Sequence, residues 1–275
     1  MRAPSGPDVA VGDVLLSVEN VSLSFGGVNA VSDVSFDIRK GEIRAIIGPN
    51  GAGKTSMLNI INGFYQPQQG RITFKGETRS KMRPHEAASG GIARTFQNVA
   101  LFRGMTTLDN LMAGRTLKMK TNFFWQLLRY GPAMTEEVEH RHRVEEIIDF
   151  LKIQSIRKVQ VARLPYGMQK RVELGRALAM EPDLLLLDEP MAGMGHEDIG
   201  RISALIKRVA KSRTILMVEH NLSVVADLSD TITVLARGEV LAEGPYSVVS
   251  GNPQVIEAYM GTGAPAAGAA EASHA

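Results

Sequence analysis

Residues 43–56 read IRAIIGPNGAGKTS, and this stretch decides the architecture. Ile43–Ile47 is an apolar run of strand length, long enough for a buried strand and too short for a buried helix. A glycine-rich turn follows, and KTSMLNIINGF from Lys54 reads as a helix. The segment Gly48–Thr55, GPNGAGKT, fits G-x-x-x-x-G-K-[ST] in the strand–turn–helix context that this motif requires. Its glycines, Gly48, Gly51 and Gly53, let the backbone curl so that successive N–H groups converge on phosphate oxygens. The helix that follows aims its positive end at the same point. Lys54 is expected to reach the β- and γ-phosphates of a nucleotide, and the Thr55 hydroxyl to ligate Mg2+. Pro49, Asn50, Ala52 and Ser56 belong to the same binding stretch. A glycine turn that merely caps a helix is the plain alternative, and it leaves the lysine and threonine in register unexplained.

A second signal lies downstream. Leu184–Leu187 form another buried strand, and it ends in Asp188 and Glu189. A carboxylate at the end of such a strand is placed to hold the Mg2+ shell, and Glu189 can polarise an attacking water. Seen alone, an acidic pair after a strand is often a helix cap. The phosphate loop upstream favours the catalytic reading. Phosphoryl transfer needs positioning and charge compensation more than covalent chemistry, so two parts remain to be found: a γ-phosphate sensor and something that closes over the nucleotide.

The rest of the chain fits one α/β domain with an insertion. At 275 residues and 44% hydrophobic content it can bury a substantial core. The formal charge of 31 − 29 = +2 gives no argument for a nucleic-acid partner. The absence of cysteine excludes disulfides, zinc–cysteine sites and thiol catalysis. No apolar run reaches 18 residues, and the first residues lack a secretory apolar region, so a soluble, cytoplasmic chain is expected. LLSVENVSLSF and VSDVSFDI alternate with period two, as antiparallel strands with one wet face do. RITFKG, TILMVEH and TITVLARGEVLAEG add further strands. From about Asn98 to Arg163 the strand signal fades, and Val144, Ile147, Ile148 and Leu151 repeat at helical spacing. We read residues 98–163 as a helical subdomain inserted into a unit spanning 13–261, with low-complexity tails at 1–12 and 262–275. No long-period repeat is present, so the chain carries one nucleotide-binding unit.

The ordered set GPNGAGKT, the glutamine of TFQN, LPYGMQKRVELGRAL, LLLLDEP and the histidine of MVEH resembles the ATP-binding subunit of ABC transporters, over about Leu15 to Gly261. The resemblance implies an α/β fold: a P-loop NTPase core with an antiparallel β subdomain and an inserted helical subdomain. It implies that Phe25 stacks on adenine, where tyrosine is usual and phenylalanine keeps the stacking face. It implies that Gln97 contacts Mg2+ or water and reports to a membrane partner, and that His220 contacts the γ-phosphate. Alone, Phe25 reads as a core aromatic and His220 as a surface histidine at a strand end; their places in the ordered set lift them. VSLSFGGVNAVSDVSF, the run from TFQN through FRGMTTLDNLMAGR, and NPQVIEAYMG look like the ATPase of branched-chain amino-acid importers. In that family the helical subdomain docks the membrane subunit. The stretch LKMKTNFFWQLLRYGP, with its tryptophan, either packs that subdomain or lies on a membrane surface.

The segment Leu164–Gln169, LPYGMQ, occupies the place of the family's LSGGQ signature, which completes the ATP site of a second subunit in trans. Gly167 keeps the close-approach glycine, Tyr166 replaces the first glycine, and Met168 replaces the usual glutamine with Gln169 following. Pro165 stands where a serine hydroxyl is usual; it can open a helix but supplies neither hydroxyl nor N–H. The D-loop aspartate position falls on Gly195, with Asp198 nearby. These departures point to asymmetric sites in a heterodimer, and the family also permits a homodimer. The implied partners are a second ABC ATPase, two membrane-spanning permease subunits and a periplasmic substrate-binding protein, at the cytoplasmic face of the inner membrane. Lipid or lipopolysaccharide export, amide or urea import, a soluble ABC ATPase of translation or repair, and a small-molecule kinase are the competing functions. One cassette without heptad repeats argues against the translation and repair class.

Overall fold

The computed structural model describes residues 12–79, 81–95, 99–119 and 132–260. The expected tails therefore lie outside the described residues apart from Gly12, as do Gln97 and residues 120–131 with Trp125. Strands β1 (Val14–Phe25) and β2 (Val28–Arg39) form the expected antiparallel hairpin. Its two-residue turn, Gly26–Gly27, takes positive φ at both positions, the geometry that matches strand twist in a tight hairpin. With β4 (Gln69–Phe74) and β5 (Glu77–Arg79) they make a four-stranded antiparallel sheet in the order β2-β1-β4-β5.

The second sheet has six strands in the order β10-β9-β3-β8-β7-β6. Its strands are β3 (Ile43–Ile47), β6 (Ile92–Arg94), β7 (Leu184–Asp188), β8 (Thr214–Val218), β9 (Thr231–Ala236) and β10 (Glu239–Gly244). All pairs are parallel except β9–β10. The central strands β3, β7 and β8 are buried along their whole length, as parallel strands covered on both faces are. Side chains alternate between two cores. Ala45, Leu185, Leu187, Ile215 and Met217 face one core, while Ile46, Leu184, Leu186, Leu216 and Val218 face the other. A one-residue slip of any of these strands would exchange its faces, so the register is firmly set.

Helix α1 (Lys54–Ile61) follows β3 and buries Met57, Leu58, Ile60 and Ile61 in the core shared with the antiparallel sheet. The short helix α2 (Pro84–Gly90) precedes β6. The other core holds α3 (Thr107–Gly114), α4 (Pro132–Leu151) and α5 (Tyr166–Ala179), and α4 buries Val144, Ile147, Ile148 and Leu151 as their spacing predicts. Helix α3 begins with a capping box in which the Thr106 hydroxyl accepts from the Asp109 N–H and the Asp109 side chain accepts from the Thr106 N–H. Helices α6 (His196–Ala210), α7 (Leu222–Leu228), α8 (Tyr246–Val249) and α9 (Pro253–Met260) follow among the described residues. Among the described residues, no helix is long and apolar enough to cross a membrane.

Two glycines give a matched test of this packing. A Cβ at Gly114 would overlap the Arg176 carbonyl where α3 meets α5, whereas a Cβ at Gly200, at an exposed position of α6, meets nothing within 4 Å. Gly114→Ala is expected to lose about 1–3 kcal/mol of stability through overpacking. Gly200→Ala is expected to gain about 0.5–1 kcal/mol from helix propensity. Urea unfolding of both variants checks the pair, and equal effects would contradict the packing described.

Candidate functional site

Three adjacent strands of the parallel sheet, β3, β8 and β7, deliver the site at their carboxyl ends. Ile46 pairs with Val218, and Val218 pairs with Asp188, so one row of the sheet aligns all three exits. The loop after β3 is held by its glycines. Gly48 has φ +149 and Gly53 φ +97; a Cβ at the first would overlap the Leu235 carbonyl of β9, and at the second the Ala30 carbonyl of β2. Only glycine meets both the backbone angle and the close approach. Ala52 is buried in this turn, while Asn50, Gly51 and Thr55 are exposed. Gly53 caps α1 with no side-chain oxygen, which leaves the first N–H groups of the helix open to a ligand.

Lys54 is buried and folds back over the loop, its Nζ donating to the Gly48 carbonyl at 2.7 Å and the Pro49 carbonyl at 2.9 Å. Burial lowers its pKa, and the charges of Glu189 and then Asp188 oppose that shift. The lysine thus lies in the field of both carboxylates that the sequence assigns to the site.

Asp188 is buried and forms an ion pair with Arg94, Nη2 to Oδ2 2.7 Å. The same guanidinium donates from Nη1 to Asn59 Oδ1 at 2.5 Å, tying the carboxylate to α1. Sequence reasoning missed Arg94; its one signal is a charged residue closing the short apolar strand GIAR, just before Thr95. Glu189 has φ +44, in the left-handed region that residues with a side chain seldom occupy. Its N–H donates to the Val218 carbonyl at 2.9 Å, which locks the turn onto β8. Backbone held in such a region costs about 1–3 kcal/mol and collects at functional sites.

His220 leaves β8 with its ring largely exposed, and its Nδ1 stands 3.9 Å from Glu189 Oε2. Beside it, Glu219 is fully buried, and desolvation raises its pKa. Sequence reasoning passed over this residue, although TILMV followed by an acid repeats the pattern of LLLL followed by Asp188.

Phe25 ends β1 half-exposed, not in the core, with Tyr65 edge-on at 5.0 Å. The hairpin that carries it lies against the phosphate loop through Ala30 and Gly53. In the segment 164–169, Leu164 is buried and Pro165 caps α5 with no side-chain hydrogen bond. The Pro165 carbonyl accepts from the N–H groups of Met168 and Gln169 at 3.0 Å, and the Gln169 side chain donates to the Leu164 carbonyl at 2.8 Å. Tyr166 is exposed, and the Asp198 carboxylate packs where a Cβ of Gly167 would stand. Arg176 of α5 donates to the Ala100 carbonyl at 2.5 Å, so this helix grips the chain just after residues 96–98. Among the described residues, no hydrogen bond or ion pair joins 164–169 to 48–56.

No cluster of three or more His, Cys, Asp or Glu side chains fit to hold a metal occurs among the described residues. The hard oxygens available at the loop, the Asp188 carboxylate and the Thr55 hydroxyl, suit an Mg2+ ion shared with phosphates instead of one caged by protein alone.

Comparison with known proteins bears on these features. Residues 31–192 match the family model for ABC transporters, and residues 239–265 match that for branched-chain amino acid ATP-binding cassette transporters. The high-affinity branched-chain amino acid transport ATP-binding protein LivG of Salmonella typhimurium is 36% identical over 249 residues, 90% of this chain and 98% of that one. Its counterpart BraF of Pseudomonas aeruginosa is 34% identical over the same shares. An ATP-binding cassette of an ABC transporter in its ADP conformation superimposes with TM-score 0.79 at 32% identity, covering 91% of this chain and 100% of that one. A dimeric bacterial ABC transporter cassette superimposes with TM-score 0.69 at 26% identity, covering 84% and 98%. The chain belongs to the ABC transporter family, as a nucleotide-binding ATPase cassette of the type that couples ATP hydrolysis to transport.

Proposed function

We propose that this chain binds Mg2+-ATP at residues 48–56 and, closed against a second ATPase subunit, drives uptake of branched-chain amino acids. The observation that carries the substrate class is the match of residues 239–265 to the branched-chain cassette model, joined to relatives named for that transport over 90% of the chain. Two membrane-spanning subunits form the path, a periplasmic binding protein supplies the amino acid, and the cassette sits at the cytoplasmic face of the inner membrane. Residues 13–261 act as one ATPase unit, and about 98–163 form its helical part, which docks the membrane subunits.

The roles proposed for the described residues agree with where they lie, and that of Gln97 rests on the family resemblance. Phe25 offers a half-exposed ring to adenine. The loop N–H groups and the α1 terminus take the phosphates, and Lys54 swings from its own loop carbonyls to the β- and γ-phosphates. Thr55, Asp188 and Gln97 would hold Mg2+, which compensates phosphate charge when bound. Glu189 orients and polarises the attacking water, and His220, 3.9 Å away, reaches the γ-phosphate. A partner's signature segment closes the pocket. That arrangement is supported by the dimeric cassette of similar fold. Pro165 without a hydroxyl and Gly195 in place of an aspartate favour a heterodimer whose reciprocal site hydrolyses weakly.

Uptake of labelled leucine by the reconstituted complex tests the substrate; uptake driven by this ATPase for a lipid or an amide but not for leucine would overturn it. Glu189→Gln is expected to lower ATP turnover about 100-fold, equivalent to about 2.7 kcal/mol, with nucleotide affinity within twofold of the parent. A parental turnover rate would remove Glu189 from its role. Pro165→Ser, which restores a hydroxyl worth about 1.5–3 kcal/mol to a charged group, is expected to raise turnover about ten- to hundredfold where this segment completes the limiting site. Unchanged turnover in the assembled complex would contradict the asymmetry.

A further inference from the structure

The Glu219 carboxylate is fully buried at the end of β8, yet no step so far uses it. Its Oε1 accepts the Met191 N–H at 3.0 Å, and its Oε2 accepts the His220 N–H at 3.2 Å. The Asn221 N–H also points at it. Met191 lies two residues beyond Glu189 in the turn after β7, and its own side chain is buried. One carboxylate therefore holds the backbone on both sides of the Glu189–His220 pair. The Glu189 N–H adds a further tie to β8 through the Val218 carbonyl.

From this we infer that Glu219 is a positioning residue for ATP hydrolysis, a buried clamp that fixes His220 against Glu189. The inference rests on the reading that Glu189 and His220 act on the γ-phosphate and the attacking water. A carboxylate suits the task because it presents only acceptors to converging N–H groups. A glutamine of the same shape would turn its NH2 toward one of them and leave a donor facing a donor. Desolvation makes a buried carboxylate costly, and its raised pKa records that cost. A residue chosen for stability alone would be apolar here, like the neighbours Met217 and Val218. The phosphate loop is not among its partners, so the clamp governs the chemical step and leaves nucleotide affinity alone.

The test is a double-mutant cycle in the assembled transporter, with Glu219→Gln, His220→Ala and the double variant, read as kcat, ATP affinity and Tm. Glu219→Gln is expected to lower kcat about tenfold with ATP affinity within twofold of the parent. The double variant is expected to match His220→Ala alone, because the clamp acts through His220. An unchanged kcat, a parallel fall in kcat, affinity and Tm, or losses that multiply in the double variant would each overturn the inference. Parental turnover in His220→Ala would overturn the reading of His220 and the inference with it, whereas a loss there with none in Glu219→Gln overturns the inference alone. Should Glu219→Gln fail to fold, amide hydrogen exchange in the parent chain decides. Slow exchange at both Met191 and His220 is expected, and rapid exchange at either contradicts the clamp.

Discussion

The row Ile46–Val218–Asp188 of the parallel sheet is the constraint on which the site depends. Each strand in it is buried on both faces, so neither its register nor its depth can drift without moving apolar side chains between two cores. From that row the chain emerges in three parallel exits: Gly48 after β3, Glu219 and His220 after β8, and Glu189 after β7. The phosphate loop, the acidic pair and the histidine come from segments far apart in sequence. They meet because parallel strands end on the same edge, the edge where open α/β sheets bind ligands.

At that edge, several local rules of stability are broken together. Glu189 is held at positive φ, Lys54 is buried with its charge, and Glu219 is a carboxylate removed from water. Each is unfavourable by itself. Together they put charge and strain where phosphate charge has to be met, and leave the rest of the sheet conventionally apolar. The Arg94–Asp188 pair belongs to the same pattern: two buried opposite charges, with Arg94 bound also to Asn59, hold the Asp188 carboxylate in one orientation. Natural sites commonly give up stability in this way for function.

Much of this was legible in the sequence because the signals are local. GPNGAGKT announces itself by spacing, the leucines before Asp188 by an unbroken apolar run, and α4 by Val144, Ile147, Ile148 and Leu151. The alternation in β1 and β2 marked the antiparallel sheet. What escaped was non-local or short. β6 is three residues long, and Arg94 meets an aspartate 94 positions away, a pairing set by the β6–β7 neighbourhood and by no periodic pattern. Glu219 was hidden by the histidine beside it. Phe25 alone reads as a core residue, and its exposure became visible only once the hairpin was placed against the phosphate loop.

In the proposed function, ATP is held at the carboxyl edge of β3, with Lys54 leaving the Gly48 and Pro49 carbonyls for phosphate. Equilibrium binding of a fluorescent ATP analogue to Lys54→Ala tests it most directly. A loss of about 1.5–3 kcal/mol, roughly ten- to hundredfold in affinity, is the result the account requires for a charged phosphate contact. Binding as tight as in the parent chain, with amino-acid uptake intact, would contradict it.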